Sequence, residues 1–186
     1  MINYIKNHKL LLAILSLVVI GSFFFFYIQK NNNKTNTIPN YNQIVPGSTT
    51  KEQVIGKLGK PIEEKQISSG ELLTFKSDKT ERPDEYYFQN GVNNLVKEII
   101  PYNDNRKIDE IRNVYGNADL VLYGDGSVAG FYLFVYLKRG IAYIGNTTSG
   151  NLLEIWYFTP INEHDFIQNW ASSYSKTQPS PEAEIQ

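Results

Sequence analysis

The chain contains no cysteine. Thiol catalysis, cysteine-ligated zinc and disulfides are therefore excluded, and so is the lipid-modified cysteine that anchors bacterial lipoproteins. The compartment stays open on this ground, because oxidising compartments permit disulfides without requiring them. Histidine is almost as scarce, with only His8 and His164. No second histidine could complete a zinc site with His164, and the Asp and Glu residues show no metal-ligand spacing. Charge of either sign is nearly balanced, 18 basic against 19 acidic side chains for a formal net charge of -1. Such a chain offers no field for nucleic acid. No metal, no cofactor and no nucleic-acid partner is expected.

One long run has no charge at all. From Leu10 to Ile28 the sequence reads LLLAILSLVVIGSFFFFYI. As a helix it spans about 28 Å, close to the roughly 30 Å of a bilayer's hydrocarbon core. A core helix of a soluble protein would carry a polar stripe, and this run does not. Aromatic rings from Phe23 to Tyr27 sit at one end, where a membrane interface favours them. The expectation is a single-pass signal anchor at residues 10–28 behind a 1–9 tail. The alternative is a signal peptide cleaved after Ser22, which Phe23–Phe26 disfavour. Lys6, Lys9 and the terminal amine precede the run, while Lys30 and Lys34 follow it. This slight positive-inside bias predicts a cytoplasmic N-terminus and an extracytoplasmic domain.

Beyond the run, residues 29–42 are rich in Asn, Lys and Thr and read as a flexible linker, reaching about 20 Å. Residues 176–186 (KTQPSPEAEIQ) read as a disordered tail. Between them the pattern predicts an α+β fold: an antiparallel sheet with helices on one face and the other face available, in two tandem helix-plus-strands units, 43–100 and 101–175. The first helix starts at Thr49 or Thr50, each with a capping-box partner, Glu52 or Gln53. Strands follow at 71–76, 85–89 and 94–100, with Asn90-Gly91 as a hairpin turn. The second helix starts near Asp104 or Asn105 and stops at Gly116. Strands follow at 119–123, 129–137, 141–144 and 152–158. A last helix runs from Pro160, capped by Thr159, to about Tyr174. Helix stops Gly59 and Gly116, and hairpin glycines Gly91 and Gly140, recur in the same order. The two units differ by a loop placed at residues 77–83.

The stretch Tyr41-Asn-Gln-Ile-Val-Pro-Gly-Ser-Thr-Thr-Lys-Glu-Gln-Val54, continued by Leu58-Gly-Lys-Pro61, resembles the opening of the BamE (SmpA/OmlA) domain. It is equally similar to the tandem repeats of the beta-lactamase inhibitory protein. The carrying residues are Gly47, Thr49, Val54, Leu58, Gly59 and Pro61: a turn, a cap, a core contact and a helix exit. The motif covers about 21 residues. The resemblance implies a bacterial, non-enzymatic protein-binding module of the cell envelope. The departures are Ser48 where such proteins carry Met, Asp104 and Arg106 in place of the second turn, and the missing lipidated cysteine. A role in an outer-membrane assembly machine does not transfer.

No catalytic constellation stands out. Gly124-Asp-Gly-Ser-Val-Ala-Gly130 precedes a strand rather than a helix, so it is no phosphate loop. Ser127 lacks the flanking glycines of a nucleophile elbow. A hydrolase would have to be built around Asp104, Asp109 or His164. The most unusual feature is 13 Tyr and 10 Phe. Alternation over residues 131–137 places Tyr132 and Tyr136 on one face. With both faces apolar, this strand is either central and covered twice, the blander reading, or it carries a Tyr-lined sheet face. In the second case Tyr132, Tyr136, Tyr143 and Tyr157 are the candidate partner-binding surface, because tyrosine offers large contact area at little rotamer cost. The expected function is a membrane-anchored protein-interaction or envelope-assembly module whose partner is another envelope protein. The alternative is a small-ligand or envelope-polymer binder.

Overall fold

The computed structural model describes residues 39–125 and 129–179. The run from Leu10 to Ile28 lies outside them, as does the end of the expected tail. Among the described residues no helix is long and apolar enough to cross a membrane.

The first helix, α1 (Lys51–Leu58), is set by its ends. Thr50 accepts from the Gln53 amide and the Gln53 side chain accepts from the Thr50 amide, which completes a capping box. Gly59 ends it at φ +84°, a conformation costly for a residue with a Cβ. The strands β1 (Glu63–Ile67), β2 (Gly70–Phe75), β3 (Asp84–Gln89) and β4 (Val92–Ile99) then form an antiparallel meander. Asn90 and Gly91, both at positive φ, make the tight β3–β4 turn. α2 (Ile108–Tyr115) follows, then β5 (Leu120–Tyr123), β6 (Phe131–Tyr136), β7 (Ile141–Asn146) and β8 (Leu152–Phe158). α3 (Glu163–Trp170) closes the described fold.

These strands form one eight-stranded sheet in the order β1-β2-β3-β4-β8-β7-β6-β5. β4 and β8 pair antiparallel at its centre, with Val96 opposite Tyr157. The expected fold class is corrected here. The chain does not build helix-plus-strands units with all helices on one face. The described residues build a single sheet-dominated body with three helices of eight residues each. Alternation along the strands shows why no face is left free. Leu133, Val135, Ala142, Ile144, Trp156 and Phe158 point to one side, where Phe166 of α3 packs on them. Phe134, Tyr136, Tyr143 and Ile155 point to the other side, under Ile108 and Ile111 of α2. Val54 of α1 packs on that second side too, over Leu73, Tyr86 and Val96. A strand apolar on both faces is thus covered twice.

Several element boundaries also differ from the expectation. β1 was not anticipated: its EEKQI sequence has no apolar alternation because it is an exposed edge strand. Charged edges of this kind discourage pairing with other chains. α2 starts at Ile108 rather than near Asp104, since the Asp104 carboxylate is occupied by the Arg106 amide and guanidinium. α3 starts at Glu163, capped by Asn162 rather than Thr159. It ends at Trp170, after which Ser175 pairs with Tyr123 at the edge of β5 and draws the chain away. β6 ends at Tyr136, where Leu137–Arg139 tighten into a 3-10 turn.

Candidate functional site

The motif residues sit around the start of α1. The Gly47 amide donates to the Asn93 carbonyl, and the Thr49 hydroxyl accepts from the Val45 amide at 2.9 Å. A Cβ on Gly47 would meet the Thr159 hydroxyl at 2.7 Å, so only glycine allows this approach. Val54 is fully buried, Pro61 is buried and Leu58 packs at the edge of the same cluster. These positions hold α1 to the β3–β4 hairpin and expose no chemistry.

The four candidate tyrosines are not an open surface. Tyr136 and Tyr143 are 2% and 0% exposed. α2 covers them, and the Tyr136 hydroxyl donates to the Gly116 carbonyl at the end of that helix. Tyr132 is half-buried against Tyr123 and accepts from the Gln178 side chain. Tyr157 is half-buried, stacked on Tyr41 with ring centroids 5.8 Å apart. Tyr41, expected in the linker, is thereby part of the packed body. Tyr136 and Tyr143 fill the core between sheet and α2; sequence alternation alone could not distinguish that from an interface.

Asp104, Asp109 and His164 are not brought together either. His164 is exposed on α3 and Asp109 is exposed on α2, across the sheet from it. Hydrogen bonds from Arg106 hold the Asp104 carboxyl below the usual carboxylate range. Among the described residues no group of three or more His, Asp or Glu side chains could hold a metal ion.

What the structure does form is a groove of about 580 Å³ at the end of the sheet where β4 stops and β8 starts. Its walls are two irregular loops, residues 76–83 and 100–107. Thr80, Glu81 and Arg82 come from the first; Pro101, Tyr102 and Asp104 come from the second. Its floor is apolar, built from Ile99, Ile100, Leu152 and Leu153. Tyr102 stands at the rim and is 100% exposed, the most exposed large apolar side chain of the body. Arg82 pairs with Glu154 at 3.1 Å and Asp104 with Arg106 at 3.0 Å. Glu81 has no ion pair among the described residues, so it is the uncompensated charge on the lining.

The strands that these two loops connect to carry two buried carboxylates, Asp84 on β3 and Glu98 on β4. Glu98 is 1% exposed, and its oxygens accept from Lys79 at 3.2 Å, Arg106 at 2.8 Å and the Tyr157 hydroxyl at 2.8 Å. Asp84, also buried, accepts from the Ile99 amide at 2.9 Å and the Tyr41 hydroxyl at 3.0 Å. Burial pushes the Asp84 carboxyl up, and the negative charge of Glu98 adds to this; the two hydrogen bonds and Lys79 only partly oppose it. Sequence reading passed over Glu98 and Tyr102. Val96, Glu98 and Ile100 alternate onto one strand face, which made Glu98 a carboxylate on an otherwise apolar side. Tyr102 lay between periodic segments, where an aromatic has no core to join.

No family model, no curated protein and no solved structure matches the chain.

Proposed function

We propose that the body is a non-enzymatic protein-interaction or envelope-assembly module, held outside the cytoplasm by a membrane helix at residues 10–28. The groove behind Tyr102 carries this reading. Interface hot spots concentrate on exposed aromatic residues beside pockets that exclude water, and Tyr102 over the Ile99–Leu152 floor has that arrangement. Its occupant is an extended segment of another envelope protein that inserts an apolar side chain. Uncompensated Glu81 on the wall selects a basic residue next to that side chain. The charge-free run and the resemblance to BamE-like domains support the setting, a tethered module with a short reach from the bilayer.

The test uses short synthetic peptides presented to the intact chain, each with one Leu or Phe flanked by Lys, by Glu or by neither. Lys-flanked peptides bind best, Tyr102→Ala weakens them about tenfold or more, and Glu81→Lys turns the preference toward Glu flanks. Binding indifferent to both substitutions, or no binding by any peptide, refutes the reading. An alkaline-phosphatase fusion at Gln186 is active if the body is extracytoplasmic; an inactive fusion beside an active cytoplasmic reporter overturns that placement.

The groove volume favours a second reading, a small-ligand or envelope-polymer binder, since it falls in the roughly 300–1,000 Å³ range of ligand sites. A small amphiphilic dye such as anilinonaphthalene sulfonate that binds in the groove while no peptide does would favour it.

A further inference from the structure

Both walls of the groove lack regular structure, and loops of this kind are normally the least stable parts of a fold. Here each wall sends one cation inward to the same atom. Lys79 from residues 76–83 and Arg106 from residues 100–107 both reach Oε1 of Glu98. The remaining oxygen takes the Tyr157 hydroxyl. The Glu98 side chain is 1% exposed while those of Lys79 and Arg106 are 47% and 31% exposed. The anion is fixed in the sheet and the cations hang on the loops. A carboxylate so buried is tolerated only while its charge is compensated. The Tyr157 hydroxyl carries no positive charge, so the compensation of Glu98 comes from the two loops, one cation from each.

From this convergence we infer that Glu98 is the positioning residue of the groove, a clasp that pins both walls at one carboxylate. It touches no occupant. It sets the spacing between Tyr102 and Glu81, the two groups to which recognition was assigned, and its consequence for binding rests on that assignment. Arg106 is itself braced by Asp104, so the second wall is held by a chain of charges, Asp104 to Arg106 to Glu98. Lys79 also lies 5.4 Å from the Tyr41 ring centroid, which couples the first wall to the segment that leads into the body.

Amide hydrogen exchange in the intact chain tests the clasp without any partner. Glu98→Gln keeps the shape and removes the charge. It speeds exchange in residues 76–83 and in residues 100–107 on the order of tenfold or more, as loss of charge-assisted hydrogen bonds implies, and leaves β6 and β7 unchanged. Lys79→Met loosens the first loop alone, and Arg106→Met loosens the second alone. These two variants decide the matter if Glu98→Gln does not fold. Unchanged exchange in either loop of Glu98→Gln, or single-wall variants that loosen both loops or neither, overturns the clasp. The peptide panel on the same variants separates the two claims. A folded wild-type chain that binds no peptide refutes the proposed function, while the exchange pattern still decides the clasp.

Discussion

Phe166 is the side chain on which α3 depends, and its replacement tests the placement of that helix directly. An eight-residue helix is too short to persist alone in water, so α3 is held by packing. Phe166 is its one fully buried residue, 4.9 Å from the Phe158 ring centroid and 6.3 Å from that of Trp156. Truncating a buried Phe to Ala costs about 3–5 kcal/mol, and each aromatic pair adds about 0.5–1.5 kcal/mol within that total. For a body this size the loss lowers Tm by roughly 10 °C. Trp156, 2% exposed under α3, is the reporter. The chain has only two tryptophans, so a Trp170→Phe background leaves Trp156 alone to emit. In that background Phe166→Ala shifts the emission to the red and lowers the urea midpoint. A loss below about 1 kcal/mol with unchanged emission would mean that α3 does not cover this face, and the two-sided account of the sheet would fail.

Asp84→Asn isolates the titration of a buried carboxyl. The folded-state pKa of Asp84 is raised, so its contribution is greatest below the unfolded value of about 4 and is lost as pH rises through the folded value. Urea melts over this window should show the wild type losing stability relative to Asp84→Asn as pH increases; a constant difference contradicts the assignment. Lys97 lies 4.3 Å from the Trp156 ring centroid and 5.0 Å from that of Tyr87, and 3.6 Å from Glu85. Lys97→Met should cost about 1–2 kcal/mol through the two cation–π contacts, while Lys97→Arg retains most of that. A Met variant as stable as wild type in thermal melts would show these contacts to contribute nothing.

What could be read from residues alone was local. The charge-free run, the capping signals at Thr50, the stops at Gly59 and Gly116 and the Asn90-Gly91 turn depend on neighbours in the chain, and those helix ends and that turn stand where they were expected. β1 escaped notice because an exposed edge strand needs no apolar period. The placement of β8 beside β4 and of α3 across the sheet from α2 depended on contacts between distant residues, which no local pattern encodes. The tyrosines show the limit most clearly. Alternation put Tyr132 and Tyr136 on one face, but whether water or a helix met that face was decided by where α2 docks. In the same way Glu98 is an ordinary strand carboxylate by sequence. Only the fold brings Lys79, from 19 positions before it, and Arg106, from 8 after it, to one of its oxygens, and leaves Tyr102 bare.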